Sequence, residues 1–289
     1  MVELLPALSE LDEAHFEPYL ASSEDRHYAS RASRKPHVTL TYAQSLDSRI
    51  AAKPGTRTVL SGSESKTMTH YLRSRHDAIL VGVNTFIADN PTLNCRYPVK
   101  GKSVCEASPQ PIILDPSFRA GLSQNSAVML AAQEGAGKAP WVLVSRSCYE
   151  RMEAGGSAET ELAKAEREKL AGVQLIPIAA FTGQRGDAWK RVAWKEILCA
   201  LADRGIQSLM VEGGSQVICD LLDLIADNGS ETERLGNATV DSLIVTIAPV
   251  YLGREGIEAS PRQRLSSQYF DELRWRTFGA DSVVCSRIR

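Results

Sequence analysis

The chain has 289 residues, 43% of them hydrophobic and 24% charged, with 33 basic residues against 35 acidic ones and a net charge of −2. That length is ample for one large α/β domain or two small ones. The near-neutral balance excludes a global basic field that would hold nucleic acid by its phosphates, so an anionic ligand has to be met by a local pocket. No run approaches the roughly 20 apolar residues of a membrane span, and Met1 to Leu20, acidic at Glu3, Glu10, Asp12 and Glu13, lacks a signal-peptide pattern. Six cysteines (Cys95, Cys105, Cys148, Cys199, Cys219 and Cys285) contain no C-x-x-C pair and read as reduced thiols of a cytoplasmic protein rather than a disulfide framework.

Residues 1–35 read as a polar, partly irregular and mobile extension with one short helix near Pro6 to His15. The domain proper is expected over 36–289. Its first strand is His37 to Ala43, β-branched and apolar. Further strands are expected at Asp77–Val83, Gln110–Leu114, Trp141–Ser145, Val173–Ile178, Ser208–Val211 and Ser242–Ala248. They lack polar alternation, as strands buried on both faces of a mostly parallel sheet do. Helices fit Glu64–Arg75, Trp189–Arg204 and Ser215–Ala226, and Leu273–Ile288 reads as a hairpin turning through Gly279-Ala280-Asp281. The alternation predicts an open α/β sheet with ligands at the carboxyl ends of its strands. Ala131–Pro140 and Glu150–Lys169 read as surface insertions, the second containing a charged, alanine-rich helix.

Four polar clusters follow strands or end helices. Ser45-Leu46-Asp47-Ser48-Arg49 closes the first strand. Asp47 suits a sugar hydroxyl or an amine, and equally a cap or turn, since Ser and Asp favour both. Arg73-Ser74-Arg75 ends a helix, where a guanidinium either complements the helix dipole or clamps a phosphate. In Val81-Gly82-Val83-Asn84-Thr85-Phe86-Ile87-Ala88-Asp89-Asn90-Pro91, Gly82 permits close approach of a ligand, Thr85 suits the start of a short helix, and Asp89-Asn90-Pro91 stops it. Arg96 follows on the loop, placed for an anion. Glu212-Gly213-Gly214-Ser215-Gln216 joins a strand to a helix. It offers either a packing turn or a helix N-terminus for a pyrophosphate, without the G-x-G-x-x-G fingerprint.

Together, SLDSRIA, VGVNTFIADNPTLNCR and VEGGSQVICDLL, in this order, resemble the pyrimidine reductases of riboflavin biosynthesis, above all the monofunctional fungal type. The likeness covers about Pro36 to Ile288. It implies a dihydrofolate-reductase-like α/β fold, a homodimer, NADPH as hydride donor and a phosphorylated ribosylaminopyrimidine as substrate. The ribosylamine opens to an imine, and hydride at the sugar C1′ yields a ribitylamine. Carried over residue by residue, Gly82, Thr85, Asp89 and the turn Gly213-Gly214-Ser215-Gln216 meet the cofactor. Arg73, Leu93, Arg96 and Glu212 line the substrate site, and Asp47 sits at the reaction centre, with Asp47 or Glu212 or water supplying the proton.

Bacterial relatives of this family add a zinc deaminase, which needs H-x-E followed by P-C-x-x-C. His15-Phe16-Glu17 spells the first half, but no P-C-x-x-C follows, so neither deaminase activity nor a metal is expected. A pterin reductase or a non-catalytic nucleotide-binding module of the same fold are the alternatives, and the arginines with the Glu-Gly-Gly turn favour the phosphorylated sugar.

Overall fold

The structure is a computed structural model that describes residues 2–22, 35–154, 170–179, 192–227 and 239–289. Eleven strands and eight α-helices follow one another among the described residues. In chain order they are α1 (Glu10–Phe16), β1 (His37–Ser45), β2 (Arg49–Ala51), α2 (Ser63–Ser74), β3 (Ala78–Gly82), α3 (Val83–Asp89), α4 (Val104–Ala107), β4 (Gln110–Leu114), α5 (Ala127–Gln133), β5 (Trp141–Ser145), α6 (Arg146–Ala154), β6 (Gln174–Ile178), α7 (Val192–Ala202), β7 (Ser208–Gly213), α8 (Ser215–Asp227), β8 (Ser242–Ala248), β9 (Ile257–Glu258), β10 (Phe270–Phe278) and β11 (Asp281–Ile288).

Nine strands form one sheet in the order β10-β11-β8-β1-β7-β3-β4-β5-β6, while β2 and β9 make a separate pair. From β8 to β6 every pairing is parallel. The chain then closes with an antiparallel hairpin, β10 on β11 and β11 on β8. The expected fold class, a mostly parallel α/β sheet with a C-terminal antiparallel hairpin, is therefore the one found.

Burial explains the apolar strands. One face of the sheet (Val38, Leu40, Leu80, Ile112, Leu143, Val211) packs against Ile197 and Leu201 of α7 and Leu221 and Ile225 of α8. Met68, Tyr71 and Leu72 of α2 pack with Met210, Ile244, Val283 and Cys285, and Phe86 of α3 with Ile79, Val81 and Ile113. With both faces covered, no position is left for the period-2 polar residue of a half-exposed strand.

Two regions depart from the sequence reading. The N-terminal segment is tied down rather than loose. Ser9 caps α1 by accepting from the Asp12 amide. Phe16 and Tyr19 are wholly buried and Leu20 nearly so, beside Met68, Tyr71 and Phe278. The spacing i, i+3, i+4 of these three is a helical stripe, which the surrounding acids obscure. Residues 131–140 are also not a plain surface insertion. Ala131 belongs to α5 and, like Ala136 and Gly137, is buried. The Ala136 carbonyl accepts from Asn94 Nδ2 at 2.8 Å. Of the insertion expected at Glu150–Lys169, residues 150–154 instead close α6, with Met152 buried, and residues 155–169 lie outside the described residues, as do residues 23–34 of the extension and the start of the helix at Trp189.

Candidate active site

β3 and β7 lie side by side in the sheet, with Val81 opposite Gly213. Their outgoing turns therefore meet at the carboxyl end of the sheet. The register slips there: Leu80 pairs with Val211, and the next pair is Val81 with Gly213, so Glu212 is the extra residue. Such a bulge re-aims a side chain at the end of a strand.

Glycine is required at this junction for space. A Cβ on Gly214 would collide with Thr85 Oγ1 of α3, and one on Gly82 would stand 3.1 Å from Val217 Cγ2. Gly213 has φ +110, a backbone conformation that side chains rarely adopt. The first helical bond of α8 runs from the Ile218 amide to the Gly214 carbonyl at 3.0 Å. The amides of Ser215, Gln216 and Val217 precede it and have no intrahelical acceptor. With the dipole of a 13-residue helix behind them, they form a cradle for a phosphate oxygen. The residues present thus fit the phosphates of a dinucleotide cofactor. The Gln216 side chain turns back to Asp220 at 2.8 Å, leaving its amide as the group offered to a ligand.

α3 starts at Val83, two residues earlier than expected, and stops at Asn90, whose φ of 42° is left-handed. The half-buried Asp89 ends it. Burial raises its carboxyl above the usual range, against the opposing pull of Arg57.

Glu212 meets Arg73 from the last turn of α2 through two parallel hydrogen bonds, Nε to Oε1 at 2.8 Å and Nη2 to Oε2 at 2.7 Å. Arg73 Nη1 donates to the Asn94 carbonyl at 2.9 Å. The two side chains are 12% and 17% exposed. Burial works against the charge of Arg73, but the Glu212 carboxylate outweighs it and raises the guanidinium pKa. Arg73 therefore spends its fork on Glu212 and the Asn94 loop. Arg96, half-buried two residues on, has no side-chain hydrogen bond or ion pair among the described residues and is the guanidinium better placed to meet a ligand anion.

Asp47 is engaged by its own surroundings. It accepts from Ser45 Oγ at 2.5 Å, the Leu252 amide at 3.1 Å and the Gly253 amide at 2.8 Å. Its carboxyl is pulled down to about 2, first by the Ser45 hydroxyl and then, against the opposing desolvation, by those amides. The geometry favours the turn brace over the proton carrier, because the group stays ionised through the neutral range. Leu93 also differs from expectation. Its side chain is 1% exposed and packs with Ile79, Val81 and Phe86, so it forms core rather than a substrate wall.

Two residues of this region were not assigned from sequence. Asn94, 3% exposed, connects Arg73 to Ala136. His70, one turn before Arg73 on α2, accepts the Arg96 amide on Nδ1 at 2.9 Å. The i, i+3 spacing of His70 and Arg73 was the available signal. Glu17 of the H-x-E triplet pairs with Arg75 and Tyr71. No group of three potential metal ligands occurs among the described residues, and all six cysteines are free thiols.

Comparison with known proteins identifies the family of the chain. The model of the RibD C-terminal domain matches residues 36–284. Over 256 residues the chain is 39% identical to the 2,5-diamino-6-ribosylamino-4(3H)-pyrimidinone 5′-phosphate reductase of Debaryomyces hansenii, covering 89% of this chain and 91% of that protein. It is 37% identical over 260 residues to the protein of the same name from Candida glabrata, covering 88% and 90%. The solved structure of the riboflavin biosynthesis reductase of Saccharomyces cerevisiae superposes with a TM-score of 0.68 at 31% identity, over 97% of this chain and 100% of that one. The chain belongs to the RibD C-terminal domain family, which it shares with these yeast reductases of riboflavin biosynthesis.

Proposed function

We propose that this protein reduces the ribosyl side chain of 2,5-diamino-6-ribosylamino-4(3H)-pyrimidinone 5′-phosphate to the ribitylamino form, with NADPH as the reductant. The observation that carries the reading is the junction of the β3 and β7 turns, where Thr85 packs on Gly214 and α8 begins with amides that precede its first intrahelical bond, at the exposed Gln216. A nicotinamide cofactor supplies a hydride when bound. The chain's own part is to bind and orient. On this reading the cofactor side is Gly82, Thr85, Asp89, Gly213, Gly214 and the amides of Ser215 and Gln216.

The substrate side is Arg96, met by the 5′-phosphate, together with the Arg73–Glu212 pair. Glu212, held by Arg73 with the bulge aiming it at the strand end, is the carboxylate offered to the ribose. Asp47 orders the loop after β8, and Leu93 supports α3 from beneath. The protein is taken to work as a cytoplasmic homodimer on a small-molecule substrate, without nucleic acid or membrane. Among the described residues no helix is long and apolar enough to cross a membrane, and sedimentation at working concentration tests the dimer.

The deciding assay follows the loss of nicotinamide absorbance with the diamino substrate, its deaminated analogue and dihydrofolate in parallel. Oxidation with the diamino compound alone is expected. Turnover only with dihydrofolate, or NADPH binding with no turnover, would sink the reading. Arg96→Ala is expected to raise the substrate KM by about tenfold to a hundredfold, the loss of a charged hydrogen bond of roughly 1.5–3 kcal/mol. It is expected to leave the KM for NADPH unchanged.

A further inference from the structure

The peptide of Arg96 is held from two sides. Its N–H donates to His70 Nδ1 at 2.9 Å, and its carbonyl accepts from the Leu5 amide at 2.9 Å. Leu5 is in turn fixed by its neighbours. Three residues on, the Leu8 amide donates to the Tyr97 hydroxyl at 2.9 Å, and that hydroxyl donates to Glu13 of α1. Phe16 and Tyr19, buried against Tyr71, anchor the segment to α2. The first twenty residues, which precede the domain matched by the family model, thus reach the backbone of the arginine assigned above to the substrate.

We propose that His70 and Tyr97, with the N-terminal segment that Tyr97 fastens, are positioning residues that set the Arg96 guanidinium for the anionic group of the substrate. The inference rests on the reading of Arg96 as the phosphate ligand. A long arginine on a loop without regular structure loses side-chain and backbone freedom when it grips an anion, and a backbone fixed in advance lowers that cost. His70 suits the task because it stays an acceptor. Burial first, then the charges of Arg73, Arg96 and Lys66, push its pKa down to about 2. The ring is neutral at any working pH, with its proton on Nε2 when Nδ1 accepts. The hydroxyl of Tyr97 does two jobs in one place, receiving from the Leu8 amide while giving to Glu13, and a phenyl ring of the same shape does neither.

The test is a set of kinetic cycles on the full chain, with the diamino pyrimidinone phosphate and NADPH varied in turn. His70→Leu is expected to raise the substrate KM by about tenfold and Tyr97→Phe by about threefold or more, with kcat and the KM for NADPH within about twofold. His70→Asn, which keeps a side-chain acceptor, is expected to recover most of the His70→Leu loss. In an Arg96→Ala background both changes are expected to add less than about twofold, because a group acting through Arg96 has nothing left to position. If His70→Leu and Tyr97→Phe keep their full factors in that background, or leave the substrate KM untouched in the parent, the positioning proposal is overturned while Arg96 keeps its role. If Arg96→Ala itself leaves the substrate KM unchanged, the phosphate reading fails and the proposal fails with it. Should His70→Leu not fold, Tyr97→Phe, which preserves ring and volume, decides the matter through the same cycle.

Discussion

The turn after β1 and the turn after β7 look alike as sequence and differ as chemistry. Each lies at the end of a buried strand of the same sheet, with one carboxylate beside it: Asp47 just past β1 and Glu212 in the last two residues of β7. After β1, Asp47 folds back onto the Ser45 hydroxyl and the amides of Leu252 and Gly253. At the end of β7, Glu212 faces an arginine from another element, and the residues that follow open a 13-residue helix. Asp77 and Asp241, at the opposite end of the sheet, behave as Asp47 does. Asp77 accepts the amides of Gln207 and Ser208, and Asp241 accepts that of Val38 while pairing with Lys35. A carboxylate at a strand end is thus most often a clasp for backbone donors, since buried amides need acceptors. What sets Glu212 apart is its partner, a guanidinium from another element.

The sharpest way to break this contrast is at the glycine. Gly214→Ala forces a Cβ onto Thr85 Oγ1, and a forced overlap of this kind costs about 1–3 kcal/mol. A fall in the urea midpoint and loss of NADPH quenching in a fluorescence titration are expected. Thr85→Ala in the same chain removes the obstructing oxygen and should restore the midpoint. Undiminished NADPH binding in Gly214→Ala would argue against the turn as the phosphate cradle.

The ion pair comes next. Arg73→Met leaves Glu212 partly buried and unpaired, a change that costs about 3 kcal/mol. Arg73→Met combined with Glu212→Gln should cost less than the sum of the two single changes, because the stranded charge is gone. Additive losses in denaturant titrations would mean that the two side chains do not depend on each other.

The smallest effect is expected at Asp47. Asp47→Asn keeps the shape of the turn, and kcat should stay within about twofold of the parent, as for a change confined to a surface turn. A tenfold drop in kcat would instead return Asp47 to the reaction centre. Its acid behaviour offers a second check. The folded value of about 2 lies below the roughly 3.9 of a free aspartate. Its stabilisation is therefore present above about pH 4 and fades as the pH falls toward 2. Unfolding midpoints of Asp47→Asn and the parent should differ at neutral pH and converge in strong acid.

How much of this was legible in advance follows from the range of each interaction. Strands β4, β5 and β8 lie where their apolar runs put them, because a strand buried on both faces declares itself by composition. The helix stop at Asn90 was written in the Asn-Pro pair, and the glycines of the β7 turn in their position between strand and helix. The family resemblance placed Gly82, Thr85 and Gly214 in one site, and the structure shows them in one junction.

Partnership was not legible. Nothing in the local sequence tells Asp47 from Glu212, or says that Arg73 turns to a carboxylate 139 residues away while Arg96 keeps its side chain open. Nor does local sequence show that Leu5 reaches the carbonyl of Arg96. The sequence by itself determined the class of sheet, the strands and the places where the backbone must be glycine, since these depend on periodicity and on steric limits within a few residues. The tertiary structure alone decided which charges face each other, which side chains are core and how the N-terminal segment is used. Those outcomes depend on the order of strands in the sheet, and β1, β3 and β7 become neighbours only when the chain has folded.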